Sequence, residues 1–165
     1  MNRRLVAALA SIIIPMPLLA VEFDAEVIAG ATRTDNLTLA SDDEQDELVY
    51  RIEPSFHLLH EGTRITTNAD YRLQAFRYRD LDETEVFHGY DASILVDVVP
   101  DNLFFEVGGS RTQSIRDPEL AIPRSNLPIS GNRQDRDEYY ASPSFQFPLG
   151  SSVAAEGDYR HSWIR

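Results

Sequence analysis

The chain has no cysteine and no lysine among its 165 residues. Without cysteine, disulfides and thiolate-bound metal sites are excluded. All 15 basic residues are arginine, which reads mainly as coding bias; the other reading is that arginine's planar fork suits lipopolysaccharide phosphates. Positive charge is in deficit, since 27 acids leave a net charge of −12. Met1–Ala20 holds Arg3 and Arg4 and no acid, so a chain lacking it would carry −14. That balance argues against nucleic acid and anionic lipid headgroups as partners, because phosphates would be repelled. Helical periodicity is also missing after Ala20, so an all-β protein is expected.

At the N-terminus, Met1–Arg4 is a short basic stretch, Leu5–Leu19 an apolar core broken by Pro15 and Pro17, and Ala20 ends a Pro-Leu-Leu-Ala segment. The core falls short of the ~20 residues that a spanning helix needs. Residues 1–20 are therefore expected to be a signal peptide cleaved near Ala20, although Leu18 is larger than the usual residue three before a cut. The other reading is an uncleaved anchor. Residues 21–165 form the remaining unit.

The strongest local signal is Tyr90–Ser110. Tyr90, Ala92, Ile94, Val96 and Val98 alternate with Asp91, Ser93 and Asp97, then Pro100-Asp101-Asn102 favours a tight turn, and alternation resumes with Phe105, Val107 and Gly109 against Glu106, Ser110 and Thr112. Five more alternating runs, Phe23–Arg33, Leu48–Leu59, Thr63–Arg77, Glu138–Phe147 and Ser151–Trp163, bring the expected total to about seven strands. Pro54 and Pro143 lie inside two of them and predict a bulge or an edge, since each lacks a ladder donor.

The intervening segments, Thr34–Glu47, His60–Gly62, Tyr78–Glu85, Pro100–Asn102, Ile115–Asp137 and Pro148–Gly150, alternate long and short. A soluble sandwich has no reason to sort its loops this way, whereas an outer-membrane barrel has short periplasmic turns and long external loops. One face carries Asp24, Glu26, Glu53, Asp70, Asp91, Asp97, Glu106, Glu156 and Asp158 with Arg51, Arg64, Arg72 and Arg160. So many charges could not lie in a dry core; they fit a hydrated lumen or an exposed outer face, and the lumen is the expectation. The other face is nearly uncharged, with Arg77 and Arg111 toward strand ends. Tyr50, Phe56, Tyr71, Phe76, Phe87, Tyr90, Phe105, Tyr139 and Phe147 are expected in interfacial girdles against outer-membrane lipid. Seven is odd where single-chain bacterial barrels are even, and an open sheet would expose unpaired backbone to hydrocarbon. The expected architecture is thus an antiparallel up-and-down meander forming the N-terminal part of a larger, here incomplete, barrel.

Several stretches resemble the outer-membrane β-barrel proteins associated with PEP-CTERM/exosortase systems. They are Thr34-Asp35-Asn36-Leu37-Thr38-Leu39-Ala40, Asp70-Tyr71-Arg72-Leu73-Gln74 with Tyr78, Gly131-Asn132-Arg133-Gln134-Asp135, Ser142-Pro143-Ser144-Phe145 and Leu149-Gly150-Ser151. The resemblance implies a part in exopolysaccharide export or surface assembly, with polysaccharide or export-system components as partners. It supplies no catalytic residues.

No enzyme, cofactor or metal site is expected from the residues. Asp42-Asp43-Glu44-Gln45-Asp46-Glu47 lacks the glycine of an EF-hand and reads as a solvated loop, with Ca²⁺ binding as the other reading. His57 and His60 point to opposite faces of a strand. Glu53, Ser55 and His57 share a face without any oxyanion motif, and lumen polarity explains them better than a triad. The lumen-facing charges either brace the wall or set selectivity, favouring cations or neutral sugars. A soluble secreted β-sandwich that binds glycan or Ca²⁺ through its long loops is the alternative, and an enzymatic barrel such as a lipase a third.

Overall fold

The computed structural model describes residues 21–38, 45–117, 119, 125–129 and 132–165. The expected signal segment and Asp42-Asp43-Glu44 of the acidic run lie outside the described residues. The strands are β1 (Val21–Thr34), β2 (Glu47–Glu61), β3 (Ile65–Tyr78), β4 (Glu83–Val99), β5 (Leu103–Ile115), β6 (Arg133–Pro148), β7 (Ala154–Asp158) and β8 (His161–Ile164). They form one antiparallel sheet in the order β1-β2-β3-β4-β5-β6-β7, with β8 also paired to β6. β7 and β8 continue one register against β6, so they make a single interrupted line and the meander has seven.

Both prolines act through the donor they lack. Pro54 faces Val27 of β1, but Glu53 and Pro54 drop out of the β2–β3 ladder between Ile52↔Ala75 and Ser55↔Arg72 without a register shift. Pro143 pairs with Phe105 of β5, and on its other side the β7–β8 line breaks, where Tyr159 N donates to Pro143 O at 3.0 Å. Each proline costs a ladder contact on one flank only.

Loop lengths are less regular than the sequence predicts. The segment 79–82 between β3 and β4 has only four residues, shorter than 149–153, so strict alternation fails there. Its compactness has a local cause: Asp82 adopts φ 56°, and the Arg77 guanidinium holds the Asp82 carboxylate, the Asp82 carbonyl (2.9 Å) and Thr84 Oγ1 (3.2 Å). β6 also begins five residues earlier than expected, at Arg133, because Arg133–Asp137 pair with Arg111–Ile115. The two long connections, 35–46 and 116–132, nevertheless leave the same end of the sheet as 79–82, called here the loop end. The opposite turn end carries 62–64, 100–102 and 149–153.

At Pro100–Asn102 the sequence expectation holds. Asn102 N donates to Val99 O at 2.9 Å, and Asp101 sits at φ 60° with Pro100 before it, the requirement of a type II turn. Aspartate tolerates this region and a β-branched residue does not. Asp101→Val is expected to lower stability by about 1–2 kcal/mol and Asp101→Gly to leave it unchanged or raised, as read by denaturant titration.

Candidate functional site

Strand registers put the predicted lumen-facing charges that lie in strands on one face, while Arg64 and Arg160 lie between strands. Asp24, His57, Asp70, Asp91, Ser110 and Glu138 form one row across β1–β6, and Glu26, Ser55, Arg72 and Gly89 form the next. Arg51 and Glu53 lie toward the loop end of this face. Asp97, Glu106, Glu156 and Asp158 lie toward the turn end, with Arg64 in the turn beside Asp97. His57 Nδ1 donates to Asp70 Oδ1 at 2.9 Å, and Asp70 and Asp91 stand directly opposite each other. Facing carboxylates repel, and both are exposed, so water screens them. A hollow of about 540 Å³ opens over these rows, lined by Asp24, His57, Asp70, Arg72, Asp91 and Asn126 among others.

Among the described residues the buried core lies on this polar face rather than under the apolar one. Val49, Phe76 and Tyr78, together with Leu37 from the first long connection, are at most 2 % exposed. Leu81, Phe87, Leu127 and Ile129 pack against them. Phe76 and Phe87, expected in an interfacial girdle, therefore belong to this inner cluster, where their rings meet edge to face at 6.0 Å. Alternation already places them there: Phe76 follows Asp70, Arg72 and Gln74 at two-residue steps, and Phe87 faces Gln74. What the sequence did not disclose is that the connections fold back to cover them. Burial pushes the Tyr78 hydroxyl pKa up, and that hydroxyl donates to Leu127 O at 2.9 Å.

Glu47 ends the acidic run but is 1 % exposed. Its carboxylate accepts the backbone N–H groups of Leu48 (2.9 Å), Asp80 (2.9 Å) and Leu81 (3.2 Å), pinning the β3–β4 turn to the start of β2. It is a structural cap and not part of a solvated loop. Burial works to raise its pKa, and the donated hydrogen bonds outweigh it, so the carboxyl sits below its ordinary value. Elsewhere on the face, Glu53 Oε1 accepts Gln74 Nε2 at 2.8 Å and lies 3.4 Å from Arg51 Nε. Tyr140 donates to Glu106 at 2.7 Å, while the Arg160 guanidinium lies 3.8 Å over the Tyr140 ring. Gly108 makes this stack possible: a Cβ there would come within 2.5 Å of the tyrosine ring. These contacts support the bracing role for Arg51, Glu53, Glu106 and Arg160. The His57 ring is held by Asp70 through Nδ1.

The apolar face is uncovered. Among the described residues, all five buried strand positions, Glu47, Val49, Glu53, Phe76 and Tyr78, lie on the polar face. Ile52, Phe56, Ile65, Val86, Ile94, Val107 and Phe145 are each 38–49 % exposed, about what a sheet surface with no layer against it leaves open. Tyr50, Tyr90, Tyr139 and Trp163 mark the loop-end margin of this apolar surface; Tyr139 faces Trp163, and Tyr90 Oη donates to Tyr139 Oη at 3.0 Å. Just beyond stand Arg77, bound to Asp82, and Arg111, whose Nε and terminal nitrogen make a bidentate pair with Asp137 at 2.6 and 2.7 Å. Sequence alternation found both arginines on this face; Asp137 was assigned to a loop.

Two outcomes test these assignments. Glu47→Gln removes the charge that the three donors stabilise and is expected to cost about 1–3 kcal/mol at neutral pH. Because the folded pKa is depressed, that stability is present above the ordinary carboxyl value of 4.5 and fades as pH falls through the folded value, so unfolding titrations of wild type and variant converge in acid. Gly108→Ala displaces Tyr140 and is expected to cost about 1–3 kcal/mol by overpacking, whereas Tyr140→Phe keeps the packing and loses less, as thermal unfolding will read.

No protein-family model, no curated protein and no solved structure matches this chain.

Proposed function

We propose that these strands are the wall of an outer-membrane β-barrel that acts as a channel or scaffold in exopolysaccharide export and performs no catalysis. The observation that carries the reading is a single sheet whose apolar face no described residue covers, while the core that the described residues form lies on the charged side. In water an apolar surface of this extent would be a docking or aggregation surface; against lipid it needs no cover.

The apolar band also crosses the sheet at the right slant. The row Ala25, Phe56, Tyr71, Tyr90 starts inside the band on β1 and β2 and ends on the Arg111–Asp137 ion pair of β5 and β6. The row through Val107 and Ala141, mid-band on β5 and β6, reaches β1 and β2 only at Val21 and His60, at their turn-end limit. The two rows stand four residues apart on β1, over the four steps from β1 to β5, so the band drifts by about one residue per strand, and with ~3.4 Å per residue and ~4.8 Å between strands this is a tilt of about 35°. Membrane barrels tilt their strands by ~35–45°. Tyr50, Tyr90, Tyr139 and Trp163 fall where an interfacial girdle would, and the flanking arginines are neutralised by partners.

β1 and the β7–β8 line have no partner on their outer sides among the described residues, and in hydrocarbon both edges need further strands. The exopolysaccharide role rests on the family resemblance, and the acidic polar face suits cations or neutral sugars better than polyanions. The sandwich alternative needs a second sheet over the apolar face, and the described residues provide none.

On this reading the protein stays with the outer membrane through a carbonate wash; recovery in the soluble periplasm would sink it. Because the chain has no cysteine, Asp80→Cys and Asp101→Cys each give a unique thiol at opposite ends of the sheet. An impermeant maleimide added to intact cells is expected to label the first and spare the second, and equal labelling would contradict the topology.

A further inference from the structure

We infer that the segment 125–129 is a strap that closes the loop end of the polar chamber, and that releasing it opens the chamber to solutes from outside. This rests on the barrel reading above and adds regulation of the same space.

The strap is fastened at four points. Asn126 Nδ2 donates to Gln74 Oε1 at 2.6 Å, Tyr78 Oη donates to Leu127 O at 2.9 Å, Ile129 N donates to Leu37 O at 3.1 Å, and the Arg133 guanidinium donates to Ser125 O. The anchors come from β3, from the β1–β2 connection and from the start of β6, so the strap spans the chamber instead of lying along its rim. For a residue between β5 and β6 to reach Gln74 on β3, the loop end of the sheet must curl around the polar face. Gln74 in turn donates to Glu53, which lies beside Arg51, so the strap is tied to the floor through Arg51–Glu53–Gln74–Asn126. Asn126 also forms part of the lining of the 540 Å³ hollow, so the strap borders it.

None of these fastenings belongs to a strand ladder. The sheet keeps all of its backbone pairing when the strap lifts, so opening is a local event of low cost compared with unfolding. The apolar contacts of Leu127 and Ile129 with Leu37, Val49, Phe76 and Tyr78 hold it down at rest. The amide pair Asn126–Gln74 is the weak point, because an entering hydroxyl-rich solute offers both partners equivalent hydrogen bonds.

The test uses Arg72→Cys, which puts a thiol on the exposed floor of the hollow in a chain that has no other cysteine. A large polyethylene-glycol maleimide is added to intact cells carrying this change alone, combined with Gln74→Ala and Asn126→Ala, or combined with Tyr78→Phe. Asp80→Cys in each background reports surface display. The released backgrounds are expected to label at the floor about tenfold faster, the factor that 1.4 kcal/mol represents. Equal rates with and without release overturn the strap. If the double alanine variant loses its Asp80→Cys labelling and so fails to assemble, Tyr78→Phe, which keeps the ring packing, decides by the same criterion. Failure of Asp80→Cys to label in the otherwise unchanged protein overturns the barrel reading itself, and the strap with it.

Discussion

An extended backbone turns successive side chains to opposite faces, and in this chain charge keeps to one of them except near the loop end, where Arg77, Arg111 and Asp137 stand on the other. Everything else follows from that sorting. A face bearing Asp24, Glu26, Asp70, Arg72 and Asp91 needs water, and a face bearing Ile52, Phe56, Ile94, Val107 and Phe145 needs to avoid it. A globular sandwich resolves the conflict by burying the second face against another sheet. Here none of the described residues lies against it, and their burial is on the wet side, beneath the connections at one end. The molecule is organised with its oily surface outward, which is intelligible if the solvent on that side is lipid.

The two faces are held together by different means. The apolar face relies on ring packing across strands, such as Phe56 on Tyr71 at 5.3 Å, and on aromatic side chains filling the places that glycines leave. Tyr139 covers Gly109 on this face as Tyr140 covers Gly108 on the other, so one strand of β6 braces both sides of β5. The polar face relies on hydrogen-bonded networks that terminate in charge: Glu47 under three N–H donors, Glu53 between Arg51 and Gln74, Glu106 under Tyr140 and Arg160. Such networks rigidify a wall only when their members are satisfied. Asp24, Asp70 and Asp91 line the open hollow, with Asp70 held by His57, and these are the groups a passing solute would meet on the proposed reading.

The expectations that failed did so for local reasons. The β3–β4 connection looked long because Arg79–Asp82 carries no alternation, but the Arg77 clamp and the positive φ of Asp82 compress it to four residues. Asp135 and Asp137 looked like loop residues because charge interrupts the apolar pattern, yet Arg111 sits opposite Asp137 and makes it part of β6. Glu47 looked like the end of a solvated acidic run, and only the approach of the Asp80–Leu81 backbone, distant in sequence, makes it a buried cap.

The sequence by itself determined the strand count, the face of the alternating strand charges and the turn at Pro100–Asn102, because these are local consequences of backbone geometry; Phe76 and Phe87, expected against lipid, lie on the polar face, and Pro54 and Pro143 sit on inner strands without a bulge. Only the tertiary structure decided what covers each face. Which side of Phe76 and Tyr78 is buried depends on connections 40 to 50 residues away folding back over them, as in the bond from Tyr78 to Leu127, and no periodicity encodes a contact of that range.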